Sequence, residues 1–441
     1  MGVMFLKIKN SFDSHCHFLA TGQVACSLSL KNLKSANDIQ NLVIKDHHFQ
    51  GEWLTGFGWD QNQWINSEFP TKEILDSAFP TTPVFFSRVD GHASWINTRA
   101  IQKLTSLGFD FSQDIRGGKI SRDLNGHPTG ILFDQAHIQA LMKLPSFDGL
   151  QTKHFIQTAQ SIFNKGGFTH VRDLSMTEPL WKQLTEMSER KELTVHIDGF
   201  VTIESLNDLE NVFSCIEVMK KNPCNLLKVR GVKLFFDGSL GSHTALLSKP
   251  YLGSTELGIC SWSLSDVKNI MRATWQKNLE FAVHTIGDEA VHQIVQVART
   301  VSTEGVLGRL NLEHVQLLRP ETLQMMKSLH ITCHLQPCHW ISDHLWLRNV
   351  IPQELVAISF PWEALRKNKI TIRFGSDSPI EPTSLLLTQQ ALIESQKLGW
   401  SQFQDEWYKY HQHPESNWVN CWTEIADDKI KQVYFNGESL L

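Results

Sequence analysis

Eight short apolar runs along the chain each end in polar residues, and a helix-like spacing follows each one. In order they are FDSHCH (12–17), GFTHVRD (167–173), LTVHIDGFV (193–201), RGVKLFFDG (230–238), LEFAVHTIGD (279–288), LNLEHVQ (310–316), HITCHLQP (330–337) and ITIRFGSDSP (370–379). After the fifth run, Val291, Ile294, Val295 and Ala298 repeat at i, i+3, i+4, i+7, the apolar stripe of a helix. Asp288, after Gly287, reads as its N-cap. Eight strand–helix units in series predict an α/β fold, a closed parallel TIM (β/α)8 barrel. The interval 18–166 is too long for one helix. Residues 50–150 read as an insertion with strands of its own, such as EWLTGFGWD and PVFFSRVDG.

Composition narrows the class. A chain of 441 residues holds one large barrel or two to three ordinary domains. Apolar residues at 41% and charged residues at 20% fit a globular protein. A net charge of −5 argues against nucleic acid and against a basic membrane-binding face. No apolar run approaches the roughly 18 residues of a membrane span. The N-terminal MGVMFLKIKN is too short in its apolar part for a signal peptide, and Leu6 breaks the myristoylation pattern at Gly2. The 8 cysteines form no CxxC pair and read as reduced thiols in a cytoplasmic protein. The 14 tryptophans suit either pocket walls or bulk core.

Chemistry gathers at the C-terminal ends of the strands in this barrel type, and the sequence repeatedly places a candidate metal ligand there. His15 and His17 close the first strand and face the same way, about 6.6 Å apart, while Cys16 faces the other. Lys233 lies within the fourth apolar run. It reads as a snorkelling lysine or as an amine neutral enough to capture carbon dioxide as a carbamate; Lys228 falls at the strand's start. His284 ends the fifth strand, His314 the sixth and Asp377 the eighth. Asp377 before Ser378-Pro379 also suits an Asx turn. Each signal is common in isolation; their order along the chain is a specific constellation.

With these residues in place, the sequence resembles the amidohydrolase superfamily, and within it amidohydrolase family 3, the YtcJ-like and N-substituted formamide deformylase-like group. The motifs that carry the resemblance include GWDQNQW (58–64), RVDGHASWIN (88–97), RDLNGHPTGIL (122–132), VKLFFDGSLGSHTALL (232–247), HTIGDEA (284–290), EHVQ (313–316), LQPCHWISD (335–343) and GSDSP (375–379). The resemblance covers residues 11–382 and implies a distorted TIM (β/α)8 barrel with one or two divalent metals, usually zinc, at its mouth. His15, His17 and Asp377 would hold the more buried ion, and His284 and His314 the other. Lys233 would bridge both if carboxylated; unmodified, it would leave a mononuclear site. Asp377 would then take the proton of the attacking water and pass it to the leaving nitrogen. The insertion is expected over the mouth, with Arg88 and His92 toward substrate. Trp59 and Trp64 suit either a pocket wall or insertion core. His243 and His339 suit either substrate contact or loop caps.

The chain departs from the resemblance at its ends. Few residues precede the first barrel strand, and the helical segment expected after the eighth strand is hard to recognise in residues 383–430. KQVYFNGESLL (431–441) resembles the last strand of a reduced β-sandwich whose partners are missing, which homodimer formation could compensate. The expected activity is metal-dependent hydrolysis of a C–N bond in a small non-peptide amide, N-substituted formamide or cyclic amide. An esterase or lactonase on the same site, and a degenerate homologue that binds a small molecule without turnover, are the competing readings.

Overall fold

The computed structural model describes residues 5–401, 406–415 and 420–441; Gly2 lies outside them. The eight apolar runs become eight parallel strands: β1 (Phe12–Cys16), β2 (His170–Asp173), β3 (His196–Thr202), β4 (Leu227–Phe235), β5 (Glu280–Thr285), β6 (Leu310–His314), β7 (Ile331–Leu335) and β8 (Thr371–Phe374). Each pairs with its neighbour in sequence, from β1 to β8. The seam between first and last strands closes at the C-terminal end. There Asp377 N–H donates to His15 O at 2.7 Å and His17 N–H to Ser378 O at 2.8 Å.

The connecting helices bury one face each against the barrel, which is what their apolar stripes require. In the helix Asp288–Thr303, Val291, Ile294, Val295 and Ala298 are all buried. Its N-cap is Gly287, in extended conformation, rather than Asp288. Asp288 is the first helical residue, and its carboxylate instead accepts from the Ser248 N–H at 3.0 Å.

The insertion starts earlier than residue 50. A two-residue strand, Leu28–Ser29, pairs in parallel with Gly56 and Phe57. It edges a sheet that also contains Trp53–Trp59, Val84–Arg88, Ala93–Ile96, Pro128–Asp134 and Gly118–Arg122. This sheet leans over the barrel mouth, where Phe57, Phe85 and His92 share a cavity with His17 and His284.

The terminal strand finds its partners within the chain. Lys429–Phe435 pairs with Trp422–Ala426 and Glu438–Ser439, and Leu6–Lys9 joins the other side. Residues 383–430 contain the helix Leu385–Lys397, whose Leu385, Ala391 and Leu392 are buried. The sequence hid it because its apolar residues spread around the helix instead of forming a clear stripe.

Candidate metal centre

His15, His314 and Asp377 each offer one ligand atom, and these atoms lie within 4.8 Å of one another. All three are buried. Two of them leave ordinary backbone space: φ is +73° at His314 and +59° at Asp377. Such left-handed conformations cost non-glycine residues about 1–3 kcal/mol each and persist where surrounding structure imposes them. Here the imposing structure is the strand end, which turns both side chains into the barrel mouth.

His15 is held by a chain of charges. Its Nδ1 lies 2.6 Å from Glu313 Oε2. Glu313 in turn receives a two-pronged interaction from Arg172, at 2.9 and 3.1 Å. Burial alone would raise the Glu313 pKa, but the Arg172 guanidinium holds it well below the usual carboxylate range. With Nδ1–H directed at Glu313, the Nε2 lone pair of His15 faces Asp377 Oδ1 at 3.0 Å. Nε2 is buried and makes no hydrogen bond. Two electron-rich atoms this close, out of water, repel unless a positive charge sits with them. Burial opposes a proton on His15, yet Asp377 and Glu313 outweigh it and raise its pKa. The site is built to hold positive charge.

His17 and the remaining histidines are oriented in the same way. His17 Nδ1 lies 3.1 Å from Ser175 Oγ, and its Nε2 lies 3.5 Å from Asp377 Oδ1. Burial pushes the His17 pKa down to about 3, so the ring is neutral, the form a metal ligand requires. Gln336 donates its amide N–H to His334 O, which leaves Oε1 to accept from His314 Nδ1 at 2.9 Å. The tautomer this selects frees His314 Nε2. His284 donates Nε2–H to Gly238 O at 3.1 Å, freeing Nδ1, and its ring centroid is 4.5 Å from that of His314. Holding one ring nitrogen to orient the other is the usual second-layer support of metal-binding histidines.

Lys233 is fully buried on β4, and its Nζ has no hydrogen-bond partner. It lies 4.2 Å from the centroid of the Phe235 ring. Burial pushes its pKa down to about 8.

The substrate-binding candidates separate into two groups. His92 and His339 are at the mouth. His92 Nδ1 pairs with Asp134 at 2.7 Å, and its ring is 4.9 Å from that of His284. His339 Nδ1 accepts from Gln316, so Nε2 carries the proton and stands 3.6 Å from Asp377 Oδ2. Arg88 borders the mouth, but its guanidinium is taken up by Asp60, Asp90 and Gln61. Trp59 and Trp64 do not line the mouth: they pack with Trp95 and Phe86 in the core of the insertion. The Trp59 indole N–H is spent on Phe86 O. His243 is exposed and stacks on Tyr251 at 5.1 Å, outside both cavities at the mouth.

Two adjoining cavities, of about 610 and 350 Å³, meet at Asp90, His92, His284 and Asp377. The larger is walled by Phe57, Phe85, Met142, Phe147 and Phe235. The smaller has Asp60, Asp343 and His339 among its walls.

Sequence reasoning missed the supporting residues. Glu313, Arg172, Ser175 and Gln336 sit in or beside the apolar runs, and a charged pair such as Arg172 and Glu313 inside two different strands was the available signal. Asp237 was also missed. It accepts the N–H groups of Ile286, Gly287 and Leu246, tying the loop after His284 to the loop after β4.

The nitrogen and carboxylate donors here fit a divalent metal. Comparisons with known proteins agree. The chain is 29% identical over 402 residues to YtcJ of Bacillus subtilis (strain 168), which its name places among the amidohydrolases; the match covers 86% of this chain and 72% of YtcJ. It is 22% identical over 338 residues to the N-substituted formamide deformylase of Arthrobacter pascens, covering 74% of this chain and 61% of that protein. A crystal structure of an uncharacterized metal-dependent hydrolase from Pyrococcus horikoshii OT3 superposes with a TM-score of 0.66 at 26% identity, covering 93% of this chain and 77% of that one. The sequence profile of the amidohydrolase family matches residues 12–411, and the chain, a hydrolase with a candidate metal-ligand cluster at its barrel mouth, belongs to that family.

Proposed function

We propose that the protein hydrolyses a C–N bond in a small non-peptide amide, an N-substituted formamide or a cyclic amide. The observation that carries this reading is the convergence of the His15 Nε2 lone pair and Asp377 Oδ1 at 3.0 Å in a buried site. His15, His17 and Asp377 would hold one ion and His284 and His314 a second, with zinc suiting this donor set. The ion supplies Lewis acidity and makes a water acidic enough to deprotonate near neutral pH.

The chain's own groups supply the rest. Asp377 Oδ2 takes the proton from the attacking water and returns it to the leaving nitrogen. His339 Nε2–H, 3.6 Å away, steadies Asp377 in its charged form. The apolar walls around Phe57, Phe147 and Phe235 take up the substrate's carbon groups and exclude water. Lys233, buried and unpartnered, supports carbamate formation: a neutral amine attacks carbon dioxide, loses one proton and gains an anionic oxygen pair. The 8 unpaired cysteines support a reducing, cytoplasmic setting.

The test is a screen of the metal-loaded protein against N-formyl, N-acyl and cyclic amides, with Asp377→Asn as control. Turnover of one amide class, lost in the control, is expected. Turnover of esters or lactones alone, or binding without turnover, would overturn the reading.

A further inference from the structure

A cavity of about 710 Å³ lies not at the candidate metal centre but at the opposite, N-terminal end of the barrel. It opens among the first residues of the strands. Six cationic side chains line it: Arg172, Arg230, Arg309, Arg373, Lys327 and Lys369. Only three carboxylates, Asp198, Glu280 and Glu415, share the lining. Arg230 pairs with Asp198 and Glu415, and Arg309 with Glu280.

Arg373 is different. It rises from β8, half-buried, and forms no ion pair among the described residues. One contact of its guanidinium is a long hydrogen bond to Lys409 O at 3.4 Å. Burial and the neighbouring Arg309 charge both lower its pKa, the signature of two guanidiniums facing a common space. A second orphan lies in the wall of the same cavity. Asn311 donates its amide to Glu280, so its Oδ1 accepts from His334 Nε2. That leaves His334 Nδ1 buried and without a partner, on a side chain only 4% exposed.

We propose that this cavity is a binding site for a small oxyanion bearing a phosphate or carboxylate group, held by Arg373 and Lys369, with His334 Nδ1 accepting a hydrogen bond from the anion's hydroxyl or its water. An unpaired arginine fork suits a planar or tetrahedral oxyanion, and a monohydrogen phosphate carries both the charge and the O–H that this pair of orphans needs. The floor of the cavity is Arg172, whose other partner, Glu313, holds the metal-ligand candidate His15. The two ends of the barrel are thus joined by one chain of buried charges.

Calorimetric titration of the metal-loaded protein with inorganic phosphate, and separately with succinate, at constant ionic strength tests the site. Saturable binding of at least one anion is expected; the one that binds identifies the phosphate or the carboxylate source. Arg373→Gln should weaken it about tenfold, as loss of one charge-assisted contact would. Arg373→Lys should retain most of the affinity, separating loss of charge from loss of fold. Asp377→Ala should leave it unchanged. Binding that survives Arg373→Gln, or that vanishes with Asp377→Ala, would place the anion at the metal centre and overturn the proposal, as would saturation by neither anion.

Discussion

The backbone N–H of Asp377 donates to the carbonyl of His15 at 2.7 Å, while the Asp377 carboxylate stands 3.0 Å from the same residue's Nε2. One pair of residues therefore both closes the barrel seam and opposes two candidate ligand atoms. Residues 362 positions apart in sequence meet because the eighth strand has nowhere to pair except beside the first. The candidate metal centre is a consequence of barrel closure rather than an ornament on one loop.

Gly375 guards that seam. A Cβ there would stand 2.4 Å from the His15 backbone nitrogen, closer than real contacts allow. Gly375→Ala should push β1 and the loop after β8 apart. The expected result is loss of bound metal by elemental analysis together with a lowered melting temperature. Unchanged metal content would show that the seam tolerates the shift.

The Arg172–Glu313 pair should matter for stability as well as for ligand orientation. Both side chains are almost fully buried, and Arg172→Met leaves the Glu313 charge without its counterion. Breaking such a pair typically costs about 3–5 kcal/mol, readable in urea denaturation. Glu313→Gln, which keeps the shape but weakens the hold on His15 Nδ1, should lower metal affinity about 10–100-fold. Competition with a fluorescent zinc chelator measures it.

Carboxylation of Lys233 predicts a carbamate carbon signal in the 13C spectrum of protein incubated with 13C-bicarbonate and metal. The signal should be absent from Lys233→Met. A spectrum without it, at full metal loading, would mean that Lys233 serves as an amine.

Acid stability should report on Glu415. Hydrogen bonds from Arg230 and Lys228 hold its pKa at about 2, below its ordinary 4.5. A carboxylate depressed in the folded state stabilises it fully above about pH 4.5, and that contribution fades as pH falls toward 2. Glu415→Gln removes it, so the variant's stability should fall less steeply across that window in denaturant titrations at stepped pH. Parallel acid limbs for the two proteins would contradict the assignment.

The barrel was legible because each strand carries a continuous apolar run closed by a polar residue, a pattern that buried parallel strands impose. The candidate ligands were legible for the same reason: His284, His314 and Asp377 stand where such runs stop. The start of the insertion was not, since Leu28–Ser29 is a strand only through its partners Gly56 and Phe57, and two residues have no period. Nor could alternation separate His339, which reaches Asp377, from His243, which turns outward on a left-handed backbone. Trp59 and Trp64 were equally suited to wall or core, and the sheet's packing against Trp95 decided for core.

Elemental analysis of the purified, extensively dialysed protein bears most directly on the central claim. One to two equivalents of a divalent metal per chain are expected, falling sharply in both His15→Ala and Asp377→Ala while the circular dichroism of the barrel persists. A folded protein that carries no divalent metal and takes up none from added zinc would contradict it.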